Sequence, residues 1–258
     1  MLDAAARALQ AGDKEQALKL ADQAVAADAK NASAYVLRSQ IHQARHEYDA
    51  AIDDDNRLLA LAPESAAAFQ RRGEDQFRAG HFKESVADFD KVIELNPARG
   101  PYHWQRGISL YYAGEFARGA KQFELHKTVN PEDVENAVWD FLCVARLSAI
   151  EKAREGLIAI HGDSRVPMMQ IYALFSGKGT EQDVMDAANA GKPGEAELKE
   201  RLFYAHLYLG LFDEASGRAD SAKQHIRLAA EKYAGDDYMG DVARVHLAHA
   251  DAAVKAGK

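Results

Sequence analysis

Arg72-Gly73-Glu74-Asp75-Gln76-Phe77-Arg78-Ala79-Gly80-His81-Phe82 and Arg106-Gly107-Ile108-Ser109-Leu110-Tyr111-Tyr112-Ala113-Gly114-Glu115-Phe116 share one frame, Arg-Gly, six variable residues, Gly, one residue, Phe. They stand 34 residues apart, and the period extends in both directions. Pro63, Pro97 and Pro131 keep it, in the contexts Leu-Ala-Pro-Glu, Leu-Asn-Pro-Ala and Val-Asn-Pro-Glu. Gly12, His46, Gly80 and Gly114 keep it too, at the point where two helices of one unit must turn; Gly adopts a left-handed conformation there without steric cost. Tyr48, Phe82 and Phe116 open the second helix of successive units, and Phe89 and Phe123 lie seven residues later on a face predicted to be buried. Ala17 and Ala51 fill the small position where paired helices cross. Gly73 and Gly107 fall inside first helices, where Gly costs about 1 kcal/mol against Ala unless a neighbour packs against the missing side chain.

A 34-residue helix–turn–helix period is that of the tetratricopeptide unit. The segments Gln40–Glu47, Arg72–His81 and Arg106–Glu115 resemble that family, and residues 1–133 carry the match. The predicted fold is all-α: a right-handed superhelical solenoid of antiparallel helix pairs, about a dozen helices in all, with an irregular middle and a C-terminal capping helix. Residues 134–202 form the degenerate stretch, in which 134–161 read as a fifth unit. Asp163-Ser164-Arg165-Val166-Pro167 leads into a helix over Met168–Phe175, and Thr180-Glu181-Gln182-Asp183 starts another with a capping-box pattern. Gly191-Lys192-Pro193-Gly194 reads as a loop. Residues 203–258 hold a late repeat, marked by Gly210, Gly217, Ala222 and Ile226, and a closing helix over 237–256. Counting back from Ala32 places the opening of the first repeat before Met1, so the first helix is expected to be short and to follow further chain upstream.

The order of elements suggests a narrower likeness. Arg106–Gly114 and Phe203-Tyr204-Ala205-His206-Leu207-Tyr208-Leu209-Gly210 are similar to stretches of the NlpI family of bacterial outer-membrane lipoproteins. That resemblance implies a dimeric helical-repeat adaptor of the cell envelope or periplasm that holds other envelope proteins. The chain has no lipobox, and its one cysteine, Cys143, is internal; without the resemblance a cytoplasmic setting is the reading.

Composition narrows the function. The chain has 258 residues, 47% hydrophobic and 28% charged, the balance of a folded protein. A net charge of -8, with no basic cluster beyond Arg71-Arg72, argues against nucleic acid as partner. No apolar run approaches the roughly 20 residues that span a bilayer, so no direct membrane insertion is expected. Cys143 in Trp139-Asp140-Phe141-Leu142-Cys143-Val144 reads as a buried thiol and excludes an internal disulfide.

Nothing in the sequence assembles a catalytic or cofactor site, and the expectation is a non-enzyme with no cofactor or metal. His42 and His46 have ligand spacing, but two ligands are too few and no Glu intervenes. His246 and His249 read as surface histidines, and Asp53-Asp54-Asp55 as a solvated face. Gly177-Lys178-Gly179-Thr180 lacks the spacing of a phosphate loop. The binding surface is expected on the first helices of the units: Gln70, Glu74, Phe77 and Arg78 in one repeat, Trp104, Ile108, Tyr111 and Tyr112 in the next. The last four follow i, i+4, i+7, i+8 and share a face; Trp, Tyr and Arg dominate binding hot spots. The competing reading is that this stripe packs on a neighbouring helix. The Lys and Asn clamp of chaperone-tail-binding relatives is absent: the matching positions hold Val36 and Gln40, Gln70 and Glu74, Trp104 and Ile108. The expected function is a protein–protein adaptor binding a partner segment in a concave groove; the alternative is a homo-oligomeric scaffold, and a homodimer fits both.

Overall fold

The computed structural model describes residues 1–256, with side chains through Asp251, and among these residues there is no β-strand. The chain divides into two compact units, the first Met1–Arg99 and the second from Gly100 onward. This boundary falls inside the regular stretch 1–133. The first unit is three helix pairs: α1 (Leu2–Gln10) with α2 (Lys14–Ala27), α3 (Ala32–Ala44) with α4 (Tyr48–Leu61), and α5 (Ala66–Arg78) with α6 (Phe82–Leu95). The second follows a 3-10 turn, Pro97–Tyr102, with the pair α7 (Trp104–Tyr112) and α8 (Phe116–His126). Next come α9 (Val134–Leu147), α10 (Ile150–Glu155), α11 (Met168–Phe175) and α12 (Glu181–Asn189). The late pair is α13 (Glu195–Ala215) and α14 (Ala219–Arg227), and a π turn over Leu228–Tyr233 leads to α15 (Tyr238–Ala256). Fifteen α-helices exceed the dozen expected because the middle breaks into the short α10, α11 and α12. No helix among the described residues is long and apolar enough to cross a membrane.

Helix ends explain the period. Asn31 and Ser65, 34 apart, cap α3 and α5 by accepting from the backbone N–H of Ala34 and Ala68. At the turns, Gly12, Gly80 and Gly114 have φ of 82°, 82° and 77°, and His46 takes the same left-handed region at 58°. The next residue closes each turn: Asp13, Glu47, His81 and Glu115 donate backbone N–H to the carbonyls of Ala8, His42, Gln76 and Leu110. Gly217 (φ 77°) with Arg218 donating to the Asp213 carbonyl repeats the device in the late pair. Thr180 and Asp183 form the expected capping box on α12.

The mid-helix glycines are contact points. A Cβ built on Gly73 would lie 2.7 Å from Phe89 Cε1, and one on Gly107 would lie 2.6 Å from Phe123 Cζ. Phe89 is fully buried and Phe123 1% exposed, so neither ring has room to retreat. Ala gains about 1 kcal/mol of helix propensity over Gly, but overpacking a core costs about 1–3 kcal/mol. Gly73→Ala is therefore expected to lower stability in urea unfolding by about 1 kcal/mol, against the usual sign for this exchange in a helix. Adding Phe89→Leu should then cost less in the Gly73→Ala background than in wild type. A rise in midpoint with Gly73→Ala alone would show that the ring yields freely.

One sequence expectation is corrected here. Of the run Asp53-Asp54-Asp55 only Asp53 is exposed; Asp54 and Asp55 are 2% and 0% exposed. They take part in a network that also keeps the period. Arg38 donates Nε and a terminal nitrogen to Asp54 and its other terminal nitrogen to Asp22. Arg72, 34 residues on, donates to both oxygens of Asp88 at 2.7 and 2.6 Å and to Asn56 at 2.6 Å. Arg106 donates to Gln122 in the same register. Each of the first two arginines thus fastens three helices. Arg71 holds Asp55 at 2.7 Å.

Candidate functional site

Inside the second unit, α7, α8, α9 and α13 leave between them a cavity of about 420 Å³, to which the start of α15 adds one wall. Trp104, at the first turn of α7, meets Tyr238 of α15 edge to face, with ring centroids 5.2 Å apart. Ile108, one turn on, is 1% exposed and lies on the cavity floor. Trp139 of α9 and Tyr204 of α13 complete an aromatic lining.

Polar groups interrupt that lining at specific points. Asn136 of α9 is 4% exposed; its Nδ2 donates to the Phe123 carbonyl at 3.0 Å. Among the described residues its Oδ1 is buried without a hydrogen-bond donor, and the Trp139 Nε1–H, one turn on, is buried without an acceptor. Leaving such groups unmet costs on the order of 1–3 kcal/mol each, so their presence in a cavity wall asks for an explanation. The carboxylates Asp133, Glu135 and Asp237 also line the cavity. Arg165 sits behind two of them, donating to Asp133 at 2.8 Å, to Glu135, and to Asp163 at 2.6 Å. Tyr208 donates its hydroxyl to the other oxygen of Glu135. Burial raises the Glu135 pKa, and Arg165 and Tyr208 oppose that rise. His126 Nδ1 bonds the Pro101 carbonyl at 2.8 Å, so its proton resides on that nitrogen.

Of the surface expected from sequence, Trp104 and Ile108 line this cavity. Tyr111 and Tyr112 do not. Tyr111 is 7% exposed, with Trp139 and Phe116 at 5.4 and 5.5 Å and the Arg146 guanidinium over its face. The Tyr112 hydroxyl bonds His246 Nδ1 at 2.9 Å, and His246 Nε2 reaches Glu214 at 2.9 Å. Both rings are packing residues here, because α8 and α9 cover Tyr111 and α15 covers Tyr112. His246, read as a surface histidine, is 7% exposed within this network, whereas His249 is exposed. In the first unit, Phe77 is fully buried and packs on Phe82 at 5.7 Å, so it is a core ring and not an anchor. Gln70 donates to Glu74 at 2.8 Å, and Arg78 pairs with Asp75 at 2.9 Å; Gln70, Glu74 and Arg78 are half-buried and Asp75 is buried.

The sequence reading missed Asn136, Glu135, Trp139, Tyr204, Asp237 and Tyr238. Only Glu135 and Asn136 carried a local signal, as polar residues inside the largely apolar run from Val134 to Val144. Elsewhere, ligand atoms of Glu181, Asp213 and His225 lie within 4.8 Å of one another. Arg218 donates to both carboxylates, which accounts for that gathering by charge pairing. Cys143 is fully buried, its thiol pKa raised by burial, and its Sγ occupies the space a side chain on Gly119 would need. Native protein should therefore resist thiol-specific alkylation and react only after denaturation, as a mass measurement before and after guanidinium would show.

No family model matches the chain, and no curated protein does either. Solved structures do. A tetratricopeptide repeat protein from Parabacteroides merdae ATCC 43184 is 18% identical, with 95% of this chain and 81% of that one covered, at a TM-score of 0.56. A MamA protein is 14% identical over 75% of this chain and 95% of its own, also at 0.56. A second MamA structure is 16% identical over 60% and 91%, at 0.54. With its all-helical repeats, this chain has the tetratricopeptide-repeat fold.

Proposed function

We propose that the protein is a non-catalytic interaction adaptor that holds a segment of a partner protein in the cavity of its second unit. The observation that carries this reading is an aromatic-walled cavity of about 420 Å³ with an unmet donor and an unmet acceptor in its wall. Sites for ligands are concave, mostly apolar and furnished with a few placed polar groups. Trp104 is the side chain to test. It is only half-buried, and its contact with Tyr238 lies on the cavity wall. Selection of a random displayed-peptide library on the protein should yield binders, and Trp104→Ala should weaken them about thirtyfold, the effect of losing a hot spot of about 2 kcal/mol. The melting temperature should stay within a few degrees. Selected peptides that bind the Trp104→Ala protein equally well sink the reading.

A homodimer is the second reading, favoured by Tyr102 and Leu125, large apolar side chains 61% and 42% exposed on segments joined by the His126–Pro101 bond. Sedimentation showing only the monomer at high concentration overturns it. A cell-envelope setting of the NlpI-like kind is carried by the sequence resemblance, and fractionation of cells expressing the native protein tests it.

A further inference from the structure

We infer that the group taken into this cavity is a basic side chain, arginine or lysine, of the partner segment. The inference rests on the adaptor reading and specifies its ligand. Three carboxylates, Asp133, Glu135 and Asp237, line the cavity, and among the described residues no lysine or arginine does. The nearest guanidinium, Arg165, is divided among Asp133, Glu135 and Asp163. One positive charge against that many carboxylates leaves the site negative even with Glu135 protonated. An acidic segment or a phosphate would be repelled. A purely apolar segment would take the carboxylates' charge out of water without a counter-charge and leave the buried Asn136 Oδ1 without a donor, which is costly.

A basic side chain meets each feature. Its N–H groups are donors only, which is what Asn136 Oδ1 lacks, and its charge meets carboxylates that already accept from Arg165, Tyr208 or the Gly240 N–H but hold more negative charge than Arg165 offsets. Its charge suits a lining that includes four aromatic rings, Trp104, Trp139, Tyr204 and Tyr238. The wall already receives one cation from behind, since the Arg165 guanidinium lies 5.9 Å from the Tyr204 centroid. The Trp139 Nε1–H needs an acceptor, which a basic side chain does not possess but the carbonyl of its own peptide group does. Asn136 and Trp139, three residues apart on α9, are separated by about 4.5 Å along the axis, a distance an extended basic side chain and its backbone can bridge.

The protein carries its own reporter. Its only two tryptophans, Trp104 and Trp139, both line the cavity, so intrinsic fluorescence reads occupancy. The probes are N-acetyl-arginine methylamide, the citrulline analogue of the same shape without charge, and the glutamate analogue. The arginine probe should change the emission saturably, the citrulline probe should bind at least about tenfold more weakly, and the glutamate probe should have no effect. Asp237→Asn should weaken the arginine probe about threefold and leave the citrulline probe unchanged. That variant leaves the fold intact, because Asp237 is exposed and its Oδ1, which accepts from the Gly240 N–H at 2.7 Å, is kept in Asn. Citrulline binding as tightly as arginine, or no response to the arginine probe up to its solubility, overturns the inference. The selected peptides separate the two levels of the argument. Binders that depend on Trp104 yet contain no basic residue would leave the adaptor reading standing and refute this one. Absence of any Trp104-dependent binder refutes both.

Discussion

At pH 8, Asp140→Asn is expected to melt about 4–8 °C above the wild-type protein, and the gap is expected to narrow as the pH falls to 5. Asp140 lies in α9 between Trp139 and Phe141 and is 4% exposed. Burial, with the nearby Glu124 carboxylate, pushes its pKa up to about 7, and Lys127 only partly opposes this. An unfolded aspartate titrates near 3.9. Between the two values the native protein binds a proton that the unfolded chain does not. The contribution of Asp140 to stability is therefore fully present below about pH 4, is lost as pH rises through 4 to 7, and stays lost above. A shift of three units corresponds to at most about 4 kcal/mol, and water penetration and relaxation bring the expected cost of the charged form to about 2 kcal/mol. Asn has the shape of the protonated acid and no charge to bury, so it recovers that amount at pH 8. In a chain of this length each kcal/mol moves the midpoint by roughly 2–4 °C. The measurement is calorimetry of both proteins at pH 5, 6, 7 and 8. A constant gap across the series would mean that Asp140 is ionised throughout, and the account of its burial would fall.

How much of this molecule could be read from its sequence depends on the range of the interactions. The turns were legible, because Gly12, Gly80 and Gly114 answer to the local backbone and recur at a fixed spacing. The helix starts at Tyr48, Phe82 and Phe116, the helix Met168–Phe175 and the capping box at Thr180 were legible for the same reason. The contact of Gly73 with Phe89 was implied by two residue series in one phase. The cavity was not. Its walls come from Trp104, Trp139, Tyr204 and Tyr238, of which only Tyr204 and Tyr238 stand 34 apart, and three of the four helices that carry them lie outside the regular repeats. The spacing of Trp104, Ile108, Tyr111 and Tyr112 does put them on one face of α7, but spacing cannot say what covers each part of that face. Tyr238 leaves the Trp104 end beside a cavity, while His246, two turns along α15, bonds Tyr112 and removes the other end from solvent.

The arginine network stands between these cases: its members are in phase, yet a run such as Asp53-Asp54-Asp55 taken by itself looks like a wet surface. Arg72→Met is the substitution that measures what the network contributes, and it should lower stability by about 3 kcal/mol. Asp88 is 5% exposed and both its oxygens are held by Arg72. Methionine keeps much of the aliphatic stem but removes the cation, which lies over the Phe69 ring, and leaves Asp88 buried with its principal counter-charge gone. Breaking a buried pair from one side typically costs about 3–5 kcal/mol, and the half-buried Arg72 head group places the expectation at the lower end. The penalty comes from the orphaned carboxylate, not from a strong net attraction in the wild type. One consequence separates that explanation from simple loss of packing. The double variant Arg72→Met/Asp88→Leu should be more stable than Arg72→Met alone, with a coupling of at least about 1.5 kcal/mol in urea unfolding. Additive losses would assign the arginine to packing and remove the charge network from the forces that hold neighbouring repeats together.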